Sequence, residues 1–187
     1  MRACQLGLEF IAIHRHPGYL ISVPGPAAIG QTTETTIYYP FMNLRRATLT
    51  DLPRLVPLFD GYRQFYGQPS DPGRAERFLG ERLAGNESVI FLAEEDGTAI
   101  GFVQLYPSFW SVAACRSWIL NDLFVSPAHR GSGAGKALLE RARGHAAETG
   151  AGGLSLATQR SNHTAQRLYE SLGWRRDEEF FHYELPL

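Results

Sequence analysis

The stretch Val125-Ser-Pro-Ala-His-Arg-Gly-Ser-Gly-Ala-Gly-Lys136 decides how this chain is read. It follows an apolar, strand-like run, Trp118-Ile-Leu-Asn-Asp-Leu-Phe-Val125, and leads into a helix-like segment from Ala134 to Thr149. Gly131, Gly133 and Gly135 leave main-chain N–H groups uncovered where a helix begins. The first turn of a helix carries unpaired donors at the positive end of its dipole, which suits a phosphate. Glycine also lets a ligand approach the backbone closely. Arg130 and Lys136 flank the loop with positive charge. The combination predicts a cradle for a diphosphate.

Two common phosphate loops fail against these letters. A nucleotide-hydrolase loop, G-x-x-x-x-G-K-[ST], has Gly135-Lys136 but Arg130 at its first Gly, and Ala137 in place of the hydroxyl that would hold magnesium. A dinucleotide fingerprint, G-x-G-x-x-G, has Gly131 and Gly133 but Lys136 at its last Gly. Arg130-x-x-Gly133-x-Gly135 resembles the acetyl-coenzyme A loop of the GNAT superfamily of N-acetyltransferases, Arg/Gln-x-x-Gly-x-Gly/Ala. Downstream, Asn162-His-Thr-Ala165-Gln-Arg-Leu168-Tyr169-Glu-Ser-Leu172-Gly173-Trp174 resembles the family's later motif, Asn-x-x-Ala-x-x-Leu/Phe-Tyr-x-x-x-Gly-Phe. A helix fits there on physical grounds. Asn162 is a good N-cap, Ala165, Leu168, Tyr169 and Leu172 make one apolar stripe, and Gly173 suits the C′ position.

The resemblance spans roughly residues 43–187 and implies an α/β (α+β) GNAT fold. Its mixed central sheet would have about seven strands, in the order β-α-α-β-β-β-α-β-α-β-β, splayed between the fourth and fifth strands. Periodicity permits that order. Strands are expected at 44–49, 88–94, 99–106, 117–125 and 154–158, with short final strands near 174–177 and 180–185. Helices are expected after the Thr50-Asp51 cap to about Phe65, from Asp71-Pro72 to about Ala84, after the glycine loop, and from Asn162.

The bulk composition narrows the class. With 187 residues, one domain is the default, and 44% hydrophobic content is enough for a core. A formal net charge of −1 gives no nucleic-acid or membrane footprint. Cys4 and Cys115 are too few for a disulfide framework, so a reduced, cytoplasmic setting is expected. The six histidines show no paired ligand spacing; no metal is expected, and all six are read as surface or loop residues. Residues 1–41 hold four prolines and a Thr-rich patch. They are expected to be a weakly ordered extension or to lie upstream of a natural start at Met42. The resemblance implies an acetyltransferase domain over residues 42–187.

The resemblance also assigns roles. The pantetheine arm of acetyl-coenzyme A would lie along Leu123, Phe124 and Val125. Its diphosphate would sit over Arg130, Gly131, Ser132, Gly133, Ala134, Gly135 and Lys136. Asn162, Ala165 and Tyr169 would complete the cofactor site, with Tyr169 as general acid to the leaving sulfur and an amide near Phe124 or Val125 holding the oxyanion. Where polyamine-type relatives often read Glu-Asp, this chain reads Asn121-Asp122. Asp122 is therefore the nearest base, acting directly or through water, or else a rim carboxylate that binds backbone. Glu76 and Glu81 are weaker candidates. Tyr62, Phe65, Tyr66, Phe109, Trp110 and Trp118 are expected to line the acceptor pocket, and no strongly acidic groove for a polyamine is evident. The implied reaction is acetyl transfer to a primary amine of a small molecule or peptide, with a homodimer in view. The alternative is an acyl-coenzyme A-binding module without turnover.

Overall fold

The computed structural model describes residues 42–187, and the expectation for residues 1–41 lies outside them. Among the described residues a single five-stranded sheet runs in sequence order from β1 (Asn43–Arg46) through β2 (Val89–Glu95), β3 (Thr98–Trp110) and β4 (Cys115–Val125) to β5 (Leu154–Leu156). Every neighbouring pair is antiparallel except β4 and β5, which run parallel. Asp96 and Gly97, both at positive φ, make the tight turn between β2 and β3, as right-twisted hairpins favour. Helices α1 (Leu52–Phe65) and α2 (Pro72–Ala84) follow β1, α3 (Ala134–Glu148) joins β4 to β5, and α4 (His163–Ser171) follows β5.

Two buried clusters occupy the two faces of the sheet. Leu55, Leu58 and Phe59 of α1 and Leu79 of α2 meet Ile90, Leu92, Phe102 and Phe124 on one face. Leu138, Leu139 and Ala142 of α3 meet Phe91, Val103, Leu105 and Leu120 on the other, with Leu168 and Tyr169 of α4 packed at its margin. Each fully buried large side chain contributes about 1.5–3 kcal/mol. The clusters therefore fix which face each strand residue takes. Among the described residues no helix is long and apolar enough to cross a membrane.

The two expected final strands do not form. Residues 175–187 are exposed and without regular structure. The Glu179 and Phe180 amides bond to Asp177 Oδ1 at 2.9 and 3.1 Å. Such local side-chain bonds offer the backbone an alternative to a ladder. Pro186 also lacks a donor.

Two carboxylate clusters brace the helices beside the sheet. Arg45 on β1 is bidentate to Asp51, through Nη1 and Nη2 at 2.9 and 2.6 Å, and to Glu94 on β2, through Nε and Nη2 at 2.9 and 2.7 Å. Arg54 reaches the same Glu94 at 2.7 Å. The Arg45 guanidinium holds the Asp51 carboxyl down at about 2 and keeps Glu94 below the usual carboxylate range. A depressed folded pKa gives stability that is present above the unfolded value near ~3.9 and lost as pH falls towards about 2. Arg45→Leu should cost on the order of 2–3 kcal/mol at pH 7, less than a fully buried pair because Arg45 is partly exposed and Arg54 remains. Urea midpoints at pH 7 and pH 3 check this. The wild-type advantage should shrink at pH 3, and an advantage that persists there would show that the guanidinium does not act through these carboxylates.

The second cluster centres on Asp60 of α1, which is buried. Its carboxylate accepts from Ser70 Oγ at 2.7 Å, the Asp71 amide at 2.8 Å, Gln64 Nε2 at 2.9 Å and Arg63 at 3.3 Å. The connection between α1 and α2 is thereby tied to the last turns of α1.

Candidate active site

The site begins where the sheet comes apart. β5 pairs with β4 only at Trp118, Ile119 and Leu120. From Asn121 to Val125, β4 continues alongside β3 alone. The register between β3 and β4 slips between Gln104 and Leu105, so Asn121 is the extra residue of a bulge. A bulge re-aims the side chains beyond it, and here it turns Asp122 and Phe124 towards the α1 face.

Alternation then fixes where the main-chain groups point. The Ser126 amide bonds to Ile100 of β3 at 2.8 Å. In an antiparallel pair successive residues bond to opposite sides, so Phe124 also bonds towards β3. Leu123 and Val125 turn their N–H and C=O groups into the gap beside β5. Arg130 Nε donates to the Val125 carbonyl at 3.4 Å.

Next comes the glycine loop. Gly131 and Gly133 have φ of 83° and 91°, a conformation L side chains rarely adopt, and a Cβ on either would meet nothing within 4 Å. Gly133 is the N-cap of α3 and brings no capping side chain; Ala134 N–H has only a 3.4 Å contact to Ser132 Oγ. The amides of the first turn of α3 therefore open outwards, with Lys136 exposed beside them. Gly135 serves another purpose: a Cβ there would stand 3.3 Å from Leu168 Cδ2, so its absence lets α4 lie against α3. Asn162 caps α4 by accepting from the Ala165 amide at 3.2 Å. That bond places Asn162 and Ala165 at the start of the helix that carries Tyr169. Burial pushes the Tyr169 hydroxyl up to about 12, with the nearby Tyr66 adding to the effect.

On the other side of β4, Asp122 is 4% exposed. Its Oδ1 accepts from Asn121 Nδ2 at 3.2 Å, and its Oδ2 is buried without a partner among the described residues. Burial raises its pKa above the usual range, against a smaller opposing effect of the Tyr62 hydroxyl. That hydroxyl donates to the Asn121 carbonyl at 3.4 Å. Tyr62, Tyr66 and Tyr106 are all raised by burial first and by Asp122 second.

The expected pocket lining divides. Tyr62 and Tyr66 lie edge to face at 5.1 Å, and Phe65 meets Tyr66 at 5.1 Å. These rings gather at the end of α1. Phe109, Trp110 and Trp118 do not join them, because the residues after Tyr106 continue β3 instead of forming a loop. Phe109 carries the Arg116 guanidinium, Trp110 covers the backbone of Gly153, and Trp118 donates to Thr149 Oγ1 at 2.9 Å. Trp118 also packs on His145, 4.8 Å between centroids. His145 is a second correction. It is buried on α3 and not a surface residue, and burial holds its pKa below the ordinary value. Glu76 is exposed on α2, and Glu81, also exposed, pairs with Arg82 at 3.3 Å.

Sequence reasoning missed Gln104 and Tyr106. Gln104 is fully buried, donates to Ser88 Oγ at 2.8 Å, leaves its Oε1 without a partner among the described residues and is the register partner of Asp122. A lone amide within the apolar run Ile100-Gly-Phe-Val-Gln-Leu was the available signal.

Comparison with known proteins agrees with this geometry. The family model described as acetyltransferase (GNAT) family matches residues 55–174. An uncharacterized N-acetyltransferase of Bacillus subtilis (strain 168), YhfO, is 50% identical over 142 residues, 76% of this chain and 95% of that protein. Streptothricin acetyltransferase of Streptomyces lavendulae is 34% identical over 78% of this chain and 71% of its own length. The crystal structure of a probable acetyltransferase superposes with a TM-score of 0.74 at 44% identity, covering 78% of this chain and 97% of that one. A family match across the helices, the splayed strands and the glycine loop, with a half-identical relative aligned almost end to end, makes this chain a member of the acetyltransferase (GNAT) family.

Proposed function

We propose that the protein transfers the acetyl group of acetyl-coenzyme A to a primary amine by direct attack in a ternary complex. One observation carries this reading. A strip of β4 main chain with no strand partner among the described residues, at Leu123 and Val125, runs directly into an uncapped helix N-terminus. A ligand with peptide-like amides at one end and a diphosphate at the other suits both. The amides would pair along Leu123 and Val125 like an added strand, with Phe124 contributing only its neighbouring ring. The phosphates would lie over Arg130, Gly131, Ser132, Gly133, Ala134, Gly135 and Lys136. Asn162, which caps α4, and Ala165 in its first turn would complete the cofactor site, with Tyr169 of the same helix turned to the sulfur.

The cosubstrate supplies an already activated acyl group, so no protein nucleophile is needed. The chain's residues handle protons and charge. A primary amine is protonated at neutral pH, with a pKa near ~10. Asp122 takes that proton, directly or through water, before the nitrogen bonds to the thioester carbon. The Val125 N–H would be left for the developing oxyanion, with the ligand's amides pairing at Leu123 and at the Val125 carbonyl. As the carbon–sulfur bond breaks, Tyr169, kept protonated until then by its pKa of about 12, donates its proton to the sulfur, and the nitrogen releases its second proton to restore the phenol directly or through water. A thiol near ~8.5 is a fair leaving group unaided. Tyr169→Phe is therefore expected to lower turnover about a hundredfold, at the weak end of general-acid effects, and to leave coenzyme A affinity within about twofold. Unchanged turnover would remove Tyr169 from the chemistry.

The direct test is calorimetric titration with coenzyme A, followed by free-thiol release from acetyl-coenzyme A in the presence of amines. Heat without thiol release across an amine panel would favour a binding module. No heat on folded protein would end the reading.

A further inference from the structure

The chain's 18 lysines and arginines include a single lysine, Lys136. It lies in the first turn of α3, just after Ala134 and Gly135, in a turn without an acidic residue. A cation there stands against the positive end of the helix dipole. Lys136 is exposed, and no carboxylate among the described residues pairs with it. Glu140, one turn further along α3, is engaged by Arg143 instead. Lys136 is thus a free cation held where the helix itself disfavours one, which suits an anion from outside the chain.

Charge alone does not explain the choice of residue. Arginine serves at every other cationic position, and its planar fork matches phosphate oxygens well. What lysine adds is a primary amine, able to lose its proton and to become an amide. A guanidinium stays charged and does neither. The chain therefore presents one side-chain amine, exposed and unpaired, at the place where the phosphates of an acyl carrier would lie.

Resting on the acetyl-transfer reading, we infer that Lys136 is an acylation site through which thioesters close the cofactor loop. The Lys136 ammonium first gives one proton to water. The free amine bonds to the thioester carbonyl carbon and the carbon–sulfur bond breaks. The nitrogen's second proton goes to the departing sulfur, which leaves as a thiol. An amide replaces an ammonium, so the cradle loses a positive charge beside the diphosphate. The donor is not the carrier lying in the cleft. That carrier's acetyl would sit by Tyr169, a pantetheine arm away, while its diphosphate covers the amine. Empty protein is the form that reacts, and bound carrier protects it.

S,N-diacetylcysteamine, an acetyl thioester without phosphates, is the probe. The full chain is treated with it and then with hydroxylamine, which strips acetyl groups from sulfur and oxygen and leaves amides. Peptide mapping should find acetyl on Lys136. Saturating desulfo-coenzyme A, which has no thiol to exchange, should slow that labelling about tenfold or more. Calorimetry with desulfo-coenzyme A should show the modified protein binding about tenfold or more weakly, the fraction of tight sites falling in step with Lys136 acetylation. Lys136→Arg protein, treated alike, should keep its own untreated affinity within about twofold. An unlabelled Lys136, labelling that the carrier does not slow, or full affinity in the acetylated protein would each overturn the inference; heat from untreated protein would then leave carrier binding standing. No heat from untreated, folded protein would remove the transfer reading, and this inference with it.

Discussion

Gly133→Glu will not bind coenzyme A measurably: the expected loss is about 1,000-fold or more, ~4 kcal/mol. Three effects act together. A φ of 91° strains any L residue at this position. The space a Cβ would enter is open, so the new side chain projects into the volume proposed for the diphosphate. Its carboxylate then meets phosphate oxygens at a helix end that favours them. Because strain alone can disturb the fold, Ser132→Glu is the companion variant. It adds the same charge at a neighbouring position where φ is not positive, and should cost about 100-fold with an unchanged melting temperature. Normal affinity in a folded Ser132→Glu protein would move the diphosphate elsewhere.

Asp122→Asn is expected to lower kcat/KM by about 10²–10⁴, the usual worth of a general base. The pH profile gives the sharper check. Burial raises the Asp122 pKa, so the wild-type profile should fall on its acid side at a pH above the ordinary carboxylate range. That limb should vanish in the variant. Stability should move the other way. A carboxyl whose folded pKa is raised holds its proton more tightly when folded, so it costs stability once pH rises past the unfolded value near ~3.9. Asparagine removes the buried charge and brings a donor beside the unmet Gln104 Oε1. The variant should therefore melt at or above the wild-type temperature while losing activity. A residue kept at a cost in stability is a functional one. A fall in both together would make Asp122 a structural group.

The parts of the site legible in the sequence were local. The glycine loop and the Asn162 helix are read from spacing within one turn or one cap, and Gly133, Gly135 and Asn162 sit as that spacing requires. The features that escaped depend on register between distant strands. Nothing in Asn121-Asp122 announces that Asn121 is a bulge, because the bulge exists only against Gln104 and Leu105, more than a dozen residues earlier. Without it, Gln104 was one polar letter in an apolar strand. Aromatic letters mislead for a related reason: Trp110 and Trp118 are rings near the site in sequence, but pleating and the length of β3 carry them to other surfaces. The final strands were inferred from family order, while Asp177 supplies its own turn.

Arg130 ties the two ends of the cleft together. Its guanidinium lies 5.7 Å over the Phe65 ring and 6.0 Å over Phe124. The loop that would receive the acyl carrier and the helix that would receive the amine thus share one cation. Thermodynamic linkage requires any coupling through it to be mutual: whatever factor the carrier imposes on amine affinity, the amine imposes on the carrier. The order in which the two partners arrive would then be a matter of kinetics, and any cooperation through this residue would reside in how firmly one arginine prefers a ring to a phosphate.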